Sequence, residues 1–266
     1  MKRAILYTVM FIVIQLVVSF TVQGVWMLAS GRSAADMDAM TYIIIMGASN
    51  VAAILVFLYF HWAEVSRSYV RSRPWAALCW CCVAALGAVV PSIAFQEQMP
   101  ELPNLVEKEF DMILQNRWGY FAVGLLAPLG EELVFRGAVL RTLLHQQQLF
   151  GIQSRRAAAW TAIAVSALLF ALVHGNPAQM PHAFLIGLLL GWFYYRTDSI
   201  VPGVAYHWVN NSVAYVMYNL YPDPDMRLID LFGSQRTVMA AVCFSLFILV
   251  PAIYQLNLRL RKASEE

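Results

Sequence analysis

The chain has 266 residues, of which 60% are hydrophobic and only 13% charged, and its formal net charge is +2. Soluble domains carry about twice that share of charge. Its basic residues are scattered rather than clustered, so the composition argues against a soluble enzyme and against a nucleic-acid-binding protein, and for a polytopic membrane protein.

About 20 apolar residues cross a bilayer. Read on that rule, the sequence predicts an all-α membrane helix bundle of about eight transmembrane helices, near 4–29, 41–62, 75–95, 118–145, 157–174, 182–195, 200–220 and 237–257. The first stretch follows Lys2-Arg3, as a signal peptide would. It is too long for a signal core and ends without a small-residue cleavage site, so it reads as a retained span. Cys79, Cys81, Cys82 and Cys243 all lie in apolar stretches without disulfide or zinc-ribbon spacing; they are expected to pack as small hydrophobes. Between spans three and four, the polar 96–117 connection places Leu105, Phe110, Ile113 and Leu114 at helical spacing. That pattern predicts an interfacial amphipathic helix.

The fourth stretch holds Gly130-Glu131-Glu132-Leu133-Val134-Phe135-Arg136. A charged side chain at bilayer depth costs roughly 2.5–3.5 kcal/mol on insertion scales, so such groups pair, line a wet cavity or do chemistry. Glu132 and Arg136 are four residues apart on one helix face and can form an ion pair. Glu131 is turned about 100° away from Glu132. One acid is thereby neutralised and the other left free.

Span five ends Phe170-Ala171-Leu172-Val173-His174, and a polar tip from Asn176 to His182 follows. Span six, 182–195, is short, about 21 Å at 1.5 Å per residue. The hairpin is therefore expected to end within the membrane, against protein or a water-filled cavity. In span seven, His207 and Asn211 fall one turn apart on one face. A lone histidine or asparagine in a membrane helix is commonly an interhelical hydrogen-bonder. A free glutamate, two histidines and an asparagine on three spans instead make a set for a general base, an electrophile and oxyanion donors.

Basic residues are distributed unevenly along the chain. With an even number of spans, one side holds twelve, at positions 2, 3, 67, 71, 73, 141, 155, 156, 196, 259, 261 and 262, and the other five, at positions 32, 108, 117, 227 and 236; Arg136 is in the membrane. The excess predicts that both termini are cytoplasmic. The expected organisation is three spans and the amphipathic connection over 1–117, a core over 118–220, and a last span with a basic tail over 221–266.

Glu-Glu-x-x-x-Arg at 131–136, Phe-x-x-x-His at 170–174 and His-x-x-x-Asn at 207–211, in this order on successive stretches, resemble the CAAX prenyl endopeptidase and bacteriocin-processing family, also called Abi or CPBP. The resemblance covers about residues 118–220. It implies an eight-helix integral-membrane endopeptidase, in a bacterium one of the cytoplasmic (inner) membrane. In that pattern Glu131 and His174 activate water, His207 and Asn211 stabilise the oxyanion, and Glu132 and Arg136 are structural partners. The family has been labelled metalloprotease, and Glu131, His174 and His207 could form a three-ligand zinc site. The usual His-Glu-x-x-His signature is absent, so no metal or other cofactor is the favoured expectation. The implied partners are the lipid bilayer and a membrane-embedded or lipidated peptide or protein substrate. Prenylated CAAX proteins are not expected in bacteria, so the prenyl group is not carried over. Two alternatives are a non-proteolytic immunity or scaffold protein of the same fold and a proton-coupled transporter. Against a transporter stand the single polar cluster and the lack of a repeated half.

Overall fold

The computed structural model describes residues 1–65, 67–146, 150–222 and 226–262; the end of the expected basic tail lies outside them. The described residues are all-α, with no strand. The long helices are α1 (Lys2–Ser30), α2 (Ala39–Tyr59) and α3 (Trp75–Gln96), then the short α4 (Glu107–Gln115). A composite helix α5 follows, made of Phe121–Leu126, Ala127–Val134, Phe135–Leu140 and Arg141–His145. Then come α6 (Arg155–Leu172), α7 (Met180–Thr197), α8 (Val201–Leu220) and α9 (Gln235–Arg259). Among the described residues, five helices, α1, α2, α3, α6 and α9, are long and apolar enough to cross a membrane.

Loop contacts sort the helix ends into two groups. The Met1 ammonium donates to Gln146 Oε1 at 2.8 Å, Arg141 pairs with Glu64, and Arg196 Nη2 donates to the Asn257 carbonyl at 2.7 Å. These contacts gather the N-terminus, the C-terminal end of α9 and the loop after α2 at one end of the bundle. At the other end, the Leu228 amide donates to Glu97 Oε1 at 2.6 Å and Asn219 Nδ2 to the Leu114 carbonyl at 3.0 Å.

α1 buries only the stripe Ala4, Thr8 and Phe11 and exposes Val17, Phe20 and Leu28. A helix apolar all round with one buried stripe suits lipid on its remaining faces. The composite α5 packs against α1, α2, α6, α7 and α8 and occupies the middle of the bundle. Small residues allow close helix approach without an aqueous driving force. A Cβ at Gly187 would lie 2.9 Å from that of Ala167, so α6 and α7 meet closely there. At Gly87 it would lie 2.8 Å from the Leu249 backbone nitrogen, joining α3 to α9.

Three expectations are refined. α7 starts at Met180, with Pro181 in its first turn, and spans 18 residues or about 27 Å, longer than the sequence suggested. Met180 and Pro181 belong to the helix, because proline at a first turn needs no amide donor. The amphipathic helix begins after Leu105, which is exposed, and packs Ile113 and Leu114 into a cluster with Ile43 of α2 and Val123 of α5. Of the cysteines, Cys81 is buried and Cys82 half-buried, whereas Cys79 and Cys243 are exposed on outer faces.

The turn between α6 and α7 is covered by protein. Gly175 takes φ +61°, a left-handed conformation that glycine adopts without strain. The next residue, Asn176, is fully buried. Its Nδ2 donates to Asn104 Oδ1 at 2.8 Å, and its Oδ1 accepts from the Leu105 amide at 3.0 Å. The 97–106 segment is thereby fastened over the hairpin tip.

Substitution Gly87→Val should force α3 from α9, costing about 1–3 kcal/mol for overpacking. It should lower the Tm of the detergent-solubilised protein; an unchanged Tm would show that the α3–α9 contact yields without cost.

Candidate active site

The site is built on a proline in α5. Pro128 lacks an amide hydrogen and its ring crowds the carbonyl four residues back, which disfavours regular α-helix in the preceding turn. That turn, Phe121–Leu126, is π-helical, and the Ala127 amide reaches back five residues to the Ala122 carbonyl. Pro128 has no amide proton to give in the same register, so the Val123 carbonyl loses its backbone partner. Asn211 Nδ2 of α8 donates to it at 2.9 Å. Asn211 Oδ1 accepts from Asn210 Nδ2 at 3.3 Å, which fixes the amide and leaves one N–H of Asn211 for a further acceptor. Two residues after Pro128, Gly130 admits Asn50 of α2, whose Oδ1 lies 2.5 Å from where a Cβ would stand.

Glu132 and Arg136 are both buried, 0% and 1% exposed, and pair at 2.9 Å between Oε1 and Nη1. Arg136 Nη2 also donates to the Gly187 carbonyl of α7 at 3.4 Å, and its Cζ lies 4.4 Å from the centre of the Phe170 ring of α6. Glu132 Oε2 sits against Gly203 of α8, where any Cβ would collide with it. The sequence reading gave Glu132 one partner, Arg136. The structure adds a second: His207 Nδ1 is 3.2 Å from Glu132 Oε1. Because an ion-paired carboxylate accepts, Nδ1 carries the proton, and Nε2 is the nitrogen left to face the cavity.

Glu131, His174, His207 and Asn211 all line one cavity of about 290 Å³, whose walls also include apolar side chains such as Phe110, Ala127 and Ile186. Glu131 Oε2 is 3.8 Å from His207 Nε2. His174 stands just past the end of α6, its Nδ1 2.8 Å from the Phe170 carbonyl. A carbonyl only accepts, so Nδ1 bears the proton and Nε2 of the neutral ring is an acceptor. The Phe170 ring meets His174 and His207 edge-on, at centroid distances of 5.0 and 6.1 Å. The motif phenylalanine thus walls the site and covers Arg136.

His182, Asn210, Gln179 and Gln96 also line this cavity, and none had been assigned to the site from the sequence. The polar tip before α7 was the available signal for His182 and Gln179. Gln96 lies at the end of α3, and nothing in its spacing connects it with Glu131. Gln96 and Ala178 also line a second cavity of about 380 Å³, between the 97–102 segment and the start of α7, so the two cavities adjoin. Among the described residues, no three histidine, cysteine or acidic side chains converge in a geometry that would hold one metal ion, the Glu131, His174 and His207 set included.

Residues 113–213 match the Rce1-like family of type II CAAX prenyl endopeptidases. The matched stretch contains all seven motif positions, from Glu131 to Asn211. Over 104 residues the chain is 29% identical to the membrane-embedded CAAX protease MroQ of Staphylococcus aureus (strain USA300). That stretch covers 39% of this chain and 40% of the relative. No solved structure matches the chain.

Removing one partner of a buried ion pair costs about 3–5 kcal/mol, whereas apolar replacement of both can be nearly neutral. Glu132→Gln and Arg136→Met should each sharply lower folded yield and Tm in detergent. The double variant Glu132→Leu/Arg136→Met should lose less than the sum of the single changes. Additive losses would mean that the two side chains are not energetically coupled.

Proposed function

We propose that the protein is an intramembrane endopeptidase that hydrolyses a peptide bond in a membrane-associated peptide or protein, with water activated by Glu131 and His174. The observation that carries this reading is the convergence of Glu131, His174, His207 and Asn211 on one small cavity. It is supported by the similarity of 113–213 to a family of endopeptidases and to a membrane-embedded protease.

In the proposed reaction, water between Glu131 and His174 attacks the scissile carbonyl carbon. Glu131 takes one of its protons, and the carbonyl oxygen becomes an oxyanion. Asn211 donates its remaining N–H to that oxygen, and His207 donates from Nε2 when its ring carries both protons. The tetrahedral intermediate collapses with cleavage of the carbon–nitrogen bond. Glu131 returns its proton to the departing amine, leaving an acid and an amine as products. Glu132 holds the Nδ1 side of His207, and Arg136 balances the charge of Glu132. The peptide reaches the site through the adjoining cavity beside the 97–102 segment.

The orientation completes the proposal. The N-terminus, the C-terminal end of α9, Arg141 and Arg196 share one end of the bundle, and by the excess of basic residues that end faces the cytoplasm. The protein is then an integral component of a bacterial cytoplasmic membrane.

In a purified cleavage assay, Glu131→Gln should abolish turnover while the protein still inserts and keeps its Tm, since it removes only a base. Asn211→Ala should lower kcat by roughly 10²–10³-fold with little change in KM, as for loss of one oxyanion donor. Activity should survive exhaustive dialysis against chelator. Normal cleavage by Glu131→Gln, or zinc-dependent recovery of a dialysed protein, would overturn the mechanism.

Cysteine labelling in a cysteine-free background should place both termini and the 67–73 segment in the cytoplasm, and 97–111 outside. The reverse pattern would invert the side from which substrate enters.

A further inference from the structure

A cavity of about 910 Å³ lies at the basic end of the bundle, away from the catalytic cluster, where α5, α6, α7 and the C-terminal residues meet. Arg141, Arg155, Arg196 and Lys262 line it, with Asp198 as the acid among the lining residues. Glu64 reaches Arg141 from the loop after α2 and Asp198 pairs with Lys262 at 3.7 Å, so among the described residues four cations face two acids and an excess of two positive charges remains. Arg196 is held by neutral oxygens, the carbonyls of Asn257 and Leu260 and Asn257 Oδ1, at 2.7–3.3 Å. Those bonds fix the guanidinium without cancelling its charge. Arg155 is exposed in the first turn of α6. There the helix dipole adds to its field.

The remaining walls are apolar or amphipathic: Leu144, Ile152 and Ala158, with the rings of Tyr194 and Tyr195. A soluble anion has no use for such a surface. A phospholipid does, for its glycerol backbone and first methylenes, and tyrosines sit favourably at headgroup depth. Basic pockets between membrane helices hold anionic headgroups by the same combination of charge and apolar wall.

We propose that this cavity is a binding site for an anionic phospholipid, with the headgroup phosphate held by Arg155 and Arg196 and the glycerol region against Leu144 and Ile152. The site is separate from the proposed peptidase chemistry and stands whether or not that chemistry is confirmed.

The test uses the full chain in a neutral detergent, titrated with phosphatidylglycerol, phosphatidylcholine, glycerol 1-phosphate or sodium phosphate, with Tm and native mass spectrometry as readouts. Phosphatidylglycerol should raise Tm and remain bound; the other three should do neither at equal concentration. Arg155→Gln and Lys262→Gln should each weaken phosphatidylglycerol binding by about fivefold, on the scale of one basic residue at an anionic membrane surface. Neither should change Tm in the absence of lipid. Glu64→Gln, which frees Arg141, should tighten binding. Equal retention of phosphatidylcholine would overturn the proposal, as would undiminished binding by the double variant Arg155→Gln/Lys262→Gln. A shift by glycerol 1-phosphate or free phosphate as large as that by the lipid would also overturn it, because the ligand would then be a soluble anion.

Discussion

The buried ion pair between Glu132 and Arg136 is the constraint around which the core is arranged. Two charges removed from solvent incur a large desolvation cost, and their mutual attraction offsets it only with good geometry and further hydrogen bonds. Each further partner comes from a different helix: the Gly187 carbonyl from α7, the Phe170 ring from α6 and His207 from α8. One pair thus sets the relative positions of four helices. The requirement also accounts for small residues nearby. Gly203 leaves room for Glu132 Oε2, and Gly187 lets α7 approach α6 closely enough for its carbonyl to meet Arg136.

A second chain of cause runs from Pro128 to Asn211. Proline removes an amide proton, the preceding turn widens into a π-helix, and the Val123 carbonyl is left for a side chain to satisfy. Asn211 satisfies it and is oriented by doing so. The same substitution of backbone partner by side chain explains how an irregular turn persists in an apolar interior, where an unsatisfied carbonyl would be costly. In the proposed reaction the residual N–H of Asn211 is an oxyanion donor, so its direction is set by a proline three positions before Glu131.

Much of this was legible in the sequence where it depended on local spacing. The long helices lie close to the apolar stretches, and the i,i+4 relation of Glu132 and Arg136 needs only helix geometry. The position of His207 between two acids could not be read, because it depends on how closely α8 approaches α5, which spacing within either helix does not encode. For the same reason Gln96 and His182 were not assigned to the site. The composite character of α5 was missed although Pro128 was visible, since a proline can kink, end or widen a helix, and neighbouring packing decides which. The extra residues of α7 were missed because Pro181 at its start resembles a loop residue and Arg196 at its end interrupts the apolar stretch.

Hydropathy and burial run in opposite directions through the bundle. α5 is the most enclosed of the helices, and it carries Glu131, Glu132 and Arg136. α1 and α9 are among the most apolar, and they bury the least of their surface inside the protein. In water this order would be unstable, because apolar faces drive burial. In lipid the driving force between apolar helices disappears, and polar side chains are what gain from protein contact. Of the unbroken helices of 18 residues or more, α7 and α8 fall short of the apolar membrane-spanning ones, and their residues His182, His207 and Asn211 line the cavity beside Glu131 of the composite α5. Their reduced hydropathy follows from carrying the site, and the apolar helices around them are what make a polar cavity tolerable at that depth.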